Sequence, residues 1–148
     1  MSAIRWYVEE FSKRSRIDVT LELDEERNRF TQEIKTAVFR IVQEALTNVY
    51  RHSKAQVARI EIRSDETCLR LRIEDNGKGI RRGTLSVAPN GKTGVGLAST
   101  RERATLLGGT FGIESDAKGT TVSVSIPIPK VSRVASLCWC LKRFLRRF

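Results

Sequence analysis

The spacing of apolar residues predicts two helices in the first third of the chain. Residues 1–13 are expected to form the end of a helix, because Ile4, Val8 and Phe11 recur at helical intervals. A longer helix is predicted from about Arg29 to His52. Its apolar face comprises Ile34, Val38, Ile41, Ala45 and Val49. An amphipathic helix of this kind needs an apolar layer to pack against.

Five segments in which apolar residues alternate predict strands. They are Asp18–Leu23, Val57–Arg63, Leu69–Glu74, Thr110–Glu114 and Thr120–Ile128. Between the third and fourth strands, a Ser99-x-x-Glu102 capping box is expected to begin another helix, and Gly108-Gly109 to end it. This order of elements is typical of an α+β fold, a two-layer α/β sandwich in which a mixed sheet carries helices on one face.

Composition limits the class of protein. The 148 residues are 40% hydrophobic, which is enough to bury one core and fits a single domain. No run of 18 apolar residues could cross a bilayer, and acidic residues near the N-terminus argue against a signal peptide. Three cysteines are too few for a disulfide framework, so we expect a reducing compartment. The single histidine, His52, excludes a histidine-rich metal site.

The net charge of +10 is concentrated near the C-terminus. Residues 1–129 hold 21 Lys and Arg against 17 Asp and Glu, whereas residues 130–148 hold six basic residues and no acid. The mildly basic body argues against nucleic acid as a partner. The tail has the pattern of a basic amphipathic helix that would contact an anionic membrane or a partner, although a non-native or frameshifted end explains it equally well. Cys138-x-Cys140 lacks the further ligands of a metal site.

Polar residues at four-residue intervals share one face of the long helix: Glu44, Asn48 and His52. An ordinary solvated face is one interpretation, and it is the favoured one for Glu44 taken alone. An acid and an amide one turn apart also suit a hydrated Mg²⁺ ion, which prefers oxygen ligands. The carboxylate would then be left to orient a nucleophile.

A segment with two glycines follows the third predicted strand: Asp75-Asn-Gly77-Lys-Gly79. Asn-Gly after an alternating strand is a common hairpin signal, so a plain turn is one interpretation. However, residues 81–83 do not continue as an alternating partner strand, and a turn needs only one of the glycines. The glycines would also let the backbone approach a flat ligand closely, with Asp75 accepting a hydrogen bond from an exocyclic amine.

Two further glycine motifs complete the set. Gly94-x-Gly96-Leu97 precedes the third predicted helix, where backbone amides form a phosphate site in many proteins. A P-loop is excluded, because the first glycine of that motif is replaced by Ser86 and no predicted strand enters it. Gly119-Thr120 opens the last strand and, taken alone, is an ordinary turn glycine followed by a strand-favouring threonine.

Taken in order, these motifs resemble the nucleotide-binding boxes of the GHKL ATPases, which include gyrase B, Hsp90, MutL and the sensor histidine kinases. The similar segments are Glu44-x-x-x-Asn48 (N box), Asp75-x-Gly77-x-Gly79 (G1 box), Gly94-x-Gly96 (G2 box) and Gly119-Thr120. Segments 39–52 and 96–109 are most similar to sensor kinases paired with nitrate-response-type regulators. The resemblance covers roughly residues 15–129.

The resemblance implies a role for each matching residue. Glu44 would be the general base or orient the nucleophile, and Asn48 would ligand Mg²⁺. Asp75 would hold the adenine amine, and Thr120 would support the adenine end through a hydrogen bond. The other implied nucleotide contacts are Arg51 and His52 at the phosphates, Gly77 and Gly79 at the adenine, and Gly94, Gly96 and Leu97 at the hinge of a lid formed by residues 81–93. The implied cofactors are ATP and Mg²⁺.

The resemblance also implies a domain organisation and a function. Residues 1–14 would be a remnant of a phosphoacceptor-domain helix, 15–129 the ATP-binding catalytic domain, and 130–148 a basic tail. The only histidine, His52, lies in the N box. The implied function is therefore the catalytic module of a two-component sensor histidine kinase, which phosphorylates a histidine supplied in trans and through it a response regulator.

Three alternatives stay open at the level of the sequence. They are an ATP-binding regulatory module that transfers no phosphate, a GHKL serine kinase that acts on a regulator, and a basic nucleic-acid binder. The implied location is the bacterial cytoplasm, with the tail as the one expected contact with the inner face of the membrane.

Overall fold

The structure, a computed structural model, describes residues 1–24, 30–80 and 95–129. Its elements are α1 (Ser2–Ser15), β1 (Asp18–Leu23), α2 (Gln32–Asn48), a π-helical turn (Val49–Ser53), β2 (Val57–Ser64), β3 (Cys68–Asp75), α3 (Val95–Leu106), β4 (Thr110–Asp116) and β5 (Gly119–Pro127). Each predicted strand is confirmed to within two residues at either end. The expectations for the lid and for the basic tail fall outside the described residues.

The five strands form one mixed sheet in the order β1-β2-β3-β5-β4. β1 runs parallel to β2, and the other neighbouring pairs are antiparallel. Apolar residues alternate along each strand, so one face of the sheet collects them and the other carries charged side chains. On the central strands the buried residues are Ala58, Ile60 and Ile62, then Leu69, Leu71 and Ile73, then Val122, Val124 and Ile126.

All three helices contribute to one apolar cluster with the inner face of the sheet. The predicted stripe of α2 is buried along its whole length, and α1 adds Ile4, Val8 and Phe11 to the same cluster. The predicted α+β sandwich is therefore confirmed. No helix of the described ranges is long and apolar enough to span a membrane.

The long helix is shorter than the prediction of Arg29 to His52. It begins at Gln32, because the Thr31 side chain caps it by accepting a hydrogen bond from the Ile34 amide. The α-helical part ends at Asn48, and the chain continues as a single π-helical turn. The Ser53 hydroxyl donates to the Val49 carbonyl at 2.7 Å, which closes this turn.

The capping box predicted for the third helix is wrong, whereas its predicted end is confirmed. Helix α3 already begins at Val95, so Ser99 lies inside it and its hydroxyl contacts the Arg103 guanidinium one turn later. An early start is favoured because Leu97 then packs against the core. At the other end Gly108 adopts φ +69°, which favours glycine, and the Gly109 amide donates to the Ala104 carbonyl at 2.8 Å.

Candidate nucleotide-binding site

A row of polar side chains crosses three strands at one end of the inner face of the sheet. Asp75 on β3 lies opposite Thr120 on β5, and Thr120 lies opposite Ser115 on β4. Directly opposed residues project from the same face, so the three side chains are neighbours. The next row towards the middle of the sheet is apolar and consists of Ile60, Ile73, Val122 and Ile113. The hydrophobic core therefore gives way to a polar site at this row.

The loop that follows β3 is held by the side chain at its start. The Asp75 carboxylate accepts a hydrogen bond from the Gly77 amide at 2.8 Å. Strand β3 pairs only with β2 and β5, so the Asn-Gly pair does not form the turn of a hairpin. The hairpin that such a pair often signals is therefore not formed by the described residues.

Both glycines of this loop are pressed against other parts of the backbone. A Cβ atom on Gly77 would lie 2.4 Å from the Ser53 carbonyl oxygen, and one on Gly79 would lie 1.8 Å from the Asp116 carbonyl oxygen. Gly79 also adopts φ +67°, which favours glycine. The loop therefore needs glycine at both positions in order to pack against the rest of the protein, whether or not a flat ligand also approaches it.

Asn76 and Lys78 anchor the same loop to the segment after the π-helical turn. The Asn76 side-chain oxygen accepts hydrogen bonds from the Gln56 and Val57 amides, both at 3.0 Å. The Lys78 amide donates to the Ser53 carbonyl at 2.8 Å. The loop after β3 is thereby fixed to the chain segment that leaves α2.

Asn76→Ala is expected to lower the free energy of unfolding by about 1–2 kcal/mol, because two backbone amides lose their acceptor. It should also weaken nucleotide binding several-fold, since Gly77 would be less firmly placed. Denaturant unfolding and titration calorimetry measure the two effects. Asn76→Asp keeps the accepting oxygen and is the matched control. An equal loss in both variants would contradict this role for the side-chain oxygen.

The carboxyl group of Asp75 is half-buried, and this burial raises its pKa above the usual value, while the hydrogen bond from the Gly77 amide opposes the shift. A buried carboxylate is costly unless donors surround it. Gly77 supplies one donor within the protein. A ligand amine would supply another, so the group is suited to accept a hydrogen bond from a bound base.

On the helical side, the structure brings Glu44 and Gly96 together. Glu44 is half-buried on α2, and Gly96 is the second residue of α3. A Cβ atom on Gly96 would lie 1.7 Å from the Glu44 Oε1 atom. A side chain at position 96 would therefore displace the Glu44 carboxylate from the first turn of α3. The N-terminal end of a helix also favours a negative charge beside it.

The other predicted site residues lie at the end of α2, in the π-helical turn and at the start of α3. Asn48 is half-buried at the end of α2, one turn from Glu44, whereas Arg51 and His52 lie in the π-helical turn and are exposed. Leu97 packs against the apolar cluster. Gly94 lies outside the described residues.

Sequence reasoning missed Ser53, Asn76 and Ser115. Ser115 carries a usable signal, because it follows Phe111 and Ile113 in the alternation of β4 and must therefore face inward. The contacts of Ser53 and Asn76 join segments about twenty residues apart, and no local pattern predicts them.

A groove of about 490 Å³ also opens at this end of the sheet. Asp75, Ser115 and Thr120 line it together with charged residues of the outer face, such as Arg59 and Glu74. Glu44 and Asn48 do not line it, so the groove covers only the sheet side of the candidate site.

Solved structures with the same architecture include a blue-light activated histidine kinase from Erythrobacter litoralis. Its TM-score is 0.71 at 21% sequence identity, over 86% of this chain and 41% of that one. A likeness at this identity establishes the fold.

Two curated relatives are more similar in sequence. The oxygen sensor histidine kinase NreB of Staphylococcus carnosus is 35% identical over 86% of this chain and 36% of its own length. The sensor histidine kinase LiaS of Bacillus subtilis is 37% identical over 82% of this chain and 32% of its own length. The chain thus spans about a third of the length of these relatives.

The family model of histidine kinase-, DNA gyrase B- and HSP90-like ATPases matches residues 33–130. This range includes α2 with Glu44, the loop after β3, and the polar row. The chain therefore belongs to the family of histidine kinase-, DNA gyrase B- and HSP90-like ATPases.

Proposed function

We propose that this chain is the ATP-binding catalytic module of a two-component sensor histidine kinase. The observation that carries the proposal is the pairing of Glu44 with the first turn of α3, in a family member whose sheet ends in the Asp75–Thr120–Ser115 row. An acid beside a helix N-terminus on one side and hydrogen-bonding groups on the other suit the two ends of a nucleotide. The curated relatives named as sensor histidine kinases support the same function.

The polar row receives the adenine in this proposal. Asp75 accepts a hydrogen bond from the exocyclic amine, and Thr120 lies directly beside it on β5. Gly77 and Gly79 shape the adenine pocket, because they let the loop pack closely against the Ser53 and Asp116 carbonyl groups. The apolar row behind, which includes Ile73 and Val122, supplies a surface on which the base packs.

The phosphates lie between α2 and the start of α3. Gly96 and Leu97, in the first turn of α3, lie beside them, and the resemblance implies the same role for Gly94. Arg51 and His52 supply positive or hydrogen-bonding groups. Asn48 offers a neutral oxygen ligand to Mg²⁺, which commonly binds through one or two protein oxygens, water and substrate phosphates. The described residues include no cluster of three His, Cys, Asp or Glu side chains that could hold a metal by itself. Bound Mg²⁺ would neutralise phosphate charge during transfer.

Glu44 has the catalytic role in this proposal. Its carboxylate accepts a proton from the attacking imidazole, or orients that imidazole towards the γ-phosphorus, while the new N–P bond forms and ADP leaves. The acceptor histidine comes from another domain or chain, and a response regulator then receives the phosphoryl group. Retention of Glu44 favours this reaction over an ATP-binding module that transfers nothing.

Three finer points belong to the same proposal. The cognate regulator is of the nitrate-response type, the module works in the bacterial cytoplasm, and residues 130–148 are the part that would touch the membrane.

Phosphoryl transfer to an added phosphoacceptor domain from one of the similar sensor kinases tests the proposal. The wild-type chain should bind ADP more tightly with Mg²⁺ and should label that domain at an acid-labile site. Glu44→Gln should lower the rate of labelling by about 100-fold or more and leave ADP affinity nearly unchanged. Glu102→Gln, on the exposed face of α3, is the control and should leave the rate unchanged. Equal labelling by both variants would exclude a catalytic role for Glu44.

A further inference from the structure

One hydroxyl group joins three segments at the adenine end of the site. The Ser115 Oγ atom accepts a hydrogen bond from the Ile80 amide at 2.8 Å and donates to the Gly119 carbonyl at 3.0 Å. It also lies 2.9 Å from the Thr120 hydroxyl oxygen. Ser115, on β4, therefore contacts the loop after β3 and the first two residues of β5 at once.

Two of these contacts have a fixed direction. An amide N–H can only donate, and a carbonyl oxygen can only accept. The single hydroxyl hydrogen of Ser115 is therefore used on Gly119, and one of its lone pairs is used on Ile80. Only a lone pair is left for the third contact, so Thr120 must donate its own hydrogen to Ser115.

We propose that Ser115 is a positioning residue that makes Thr120 a hydrogen-bond acceptor towards the ligand, so that the site selects a 6-aminopurine over a 6-oxopurine. The proposal rests on the proposed function, in which this row receives the base of a nucleotide. With its hydrogen turned towards Ser115, the Thr120 hydroxyl presents only lone pairs to the site.

The neighbouring group has the same polarity. Asp75 lies opposite Thr120 in the sheet, and its ionised carboxylate can only accept hydrogen bonds. Two adjacent acceptors match the two hydrogens of an exocyclic amine. A 6-oxo group would place a third acceptor against them, and binding would leave buried polar groups without partners.

Ser115→Ala gives this selectivity a direct test. Without Ser115, the Thr120 hydroxyl can rotate and donate to a 6-oxo group. Binding of ADP and of inosine diphosphate is measured by calorimetry. The Kd of Ser115→Ala for ADP should be about three- to tenfold higher than that of the wild type, which is the range expected from one lost hydrogen bond. The ratio of the Kd for inosine diphosphate to that for ADP should fall by about fivefold.

The same substitution in a Thr120→Val background separates selectivity from general loosening of the strand. If Ser115 acts through Thr120, Ser115→Ala should no longer change the ratio once the Thr120 hydroxyl is absent. Ser125→Ala is the matched control on the adjoining strand β5. It removes a hydroxyl that contacts only the Cys68 sulfur in the described structure, at 2.8 Å, and should leave both affinities unchanged.

The outcomes distinguish a failure of the proposed function from a failure of the role of Ser115. If the wild-type chain binds no ADP, the proposed function fails and this inference fails with it. If it binds ADP but Ser115→Ala leaves the ratio unchanged, or changes it equally in the Thr120→Val background, only the role of Ser115 is overturned. Should Ser115→Ala not fold, Ser115→Cys carries the same expectation, because a thiol of similar size is a weak donor and a weak acceptor.

Discussion

Asp75→Asn is expected to reduce the affinity for ADP by about 100-fold or more while the chain stays folded. The asparagine oxygen can still accept the hydrogen bond from the Gly77 amide, so the loop keeps its anchor. That contact then directs the amide NH₂ group towards the ligand. A donor would face the donor hydrogens of the adenine amine, and the substitution replaces an attraction by a repulsion.

The stability of Asp75→Asn should not fall with its affinity for ADP. Burial raises the pKa of Asp75 in the folded protein, so the folded chain holds the proton more tightly than the unfolded one. The resulting stabilisation is present below the unfolded pKa and is lost as the pH rises through the folded pKa. Above its folded pKa the ionised Asp75 therefore costs stability, and there Asp75→Asn should not lower the free energy of unfolding.

Calorimetry and denaturant unfolding at neutral pH measure these two effects of Asp75→Asn. Asp18→Asn is the matched control, because Asp18 is exposed at the far edge of the sheet. Tight ADP binding by Asp75→Asn would show that Asp75 does not take part in nucleotide binding. Lost binding accompanied by unfolding would show that the carboxylate serves the fold.

Gly119→Ala is expected to lower the free energy of unfolding by about 3 kcal/mol and to abolish nucleotide binding. Gly119 adopts φ +147°, which side chains rarely tolerate, and a Cβ atom there would lie 1.8 Å from the Asp75 carbonyl oxygen. Relief of this clash would push β5 away from β3. Thr120 would move with β5, so the acceptor row would separate.

Gly112→Ala is the control for this prediction, because Gly112 lies on β4, the partner strand of β5. A Cβ atom there would meet nothing closer than 3.9 Å, so the substitution should leave stability and binding largely intact. Denaturant unfolding of the two variants side by side measures the difference. Equal stabilities would mean that the β5–β3 contact yields easily at Gly119.

Much of the fold could be predicted from the sequence because its signals are local. The stripe of α2 and the alternation in β2 and β3 depend only on the 3.6- and two-residue periods of backbone geometry. Helix ends were predicted less well, since they depend on competition between caps. Helix α2 begins after Thr31, which caps it, and not at Arg29 as predicted. Helix α3 begins before the Ser99 capping box, because Leu97 packs against the core.

For the candidate site, the order of four short motifs in the sequence was enough to indicate the family, which the family model confirms. The roles of Glu44, Asn48, Asp75 and Thr120 stay predictions for experiment. The motifs could not show why the glycines are needed. That reason lies in backbone approaches between distant segments, such as Gly77 to Ser53 and Gly79 to Asp116.

By itself, the sequence determined the elements, the polarity of their faces and the order of the nucleotide-binding motifs. Tertiary structure alone decided that Ser115, Thr120 and Asp75 form one row, and that the hydroxyl oxygens of Ser115 and Thr120 lie 2.9 Å apart. The physical reason is strand register, which pairs residues as distant in the sequence as Asp75 and Thr120. A shift of one residue in either pairing would turn part of this row to the opposite face of the sheet.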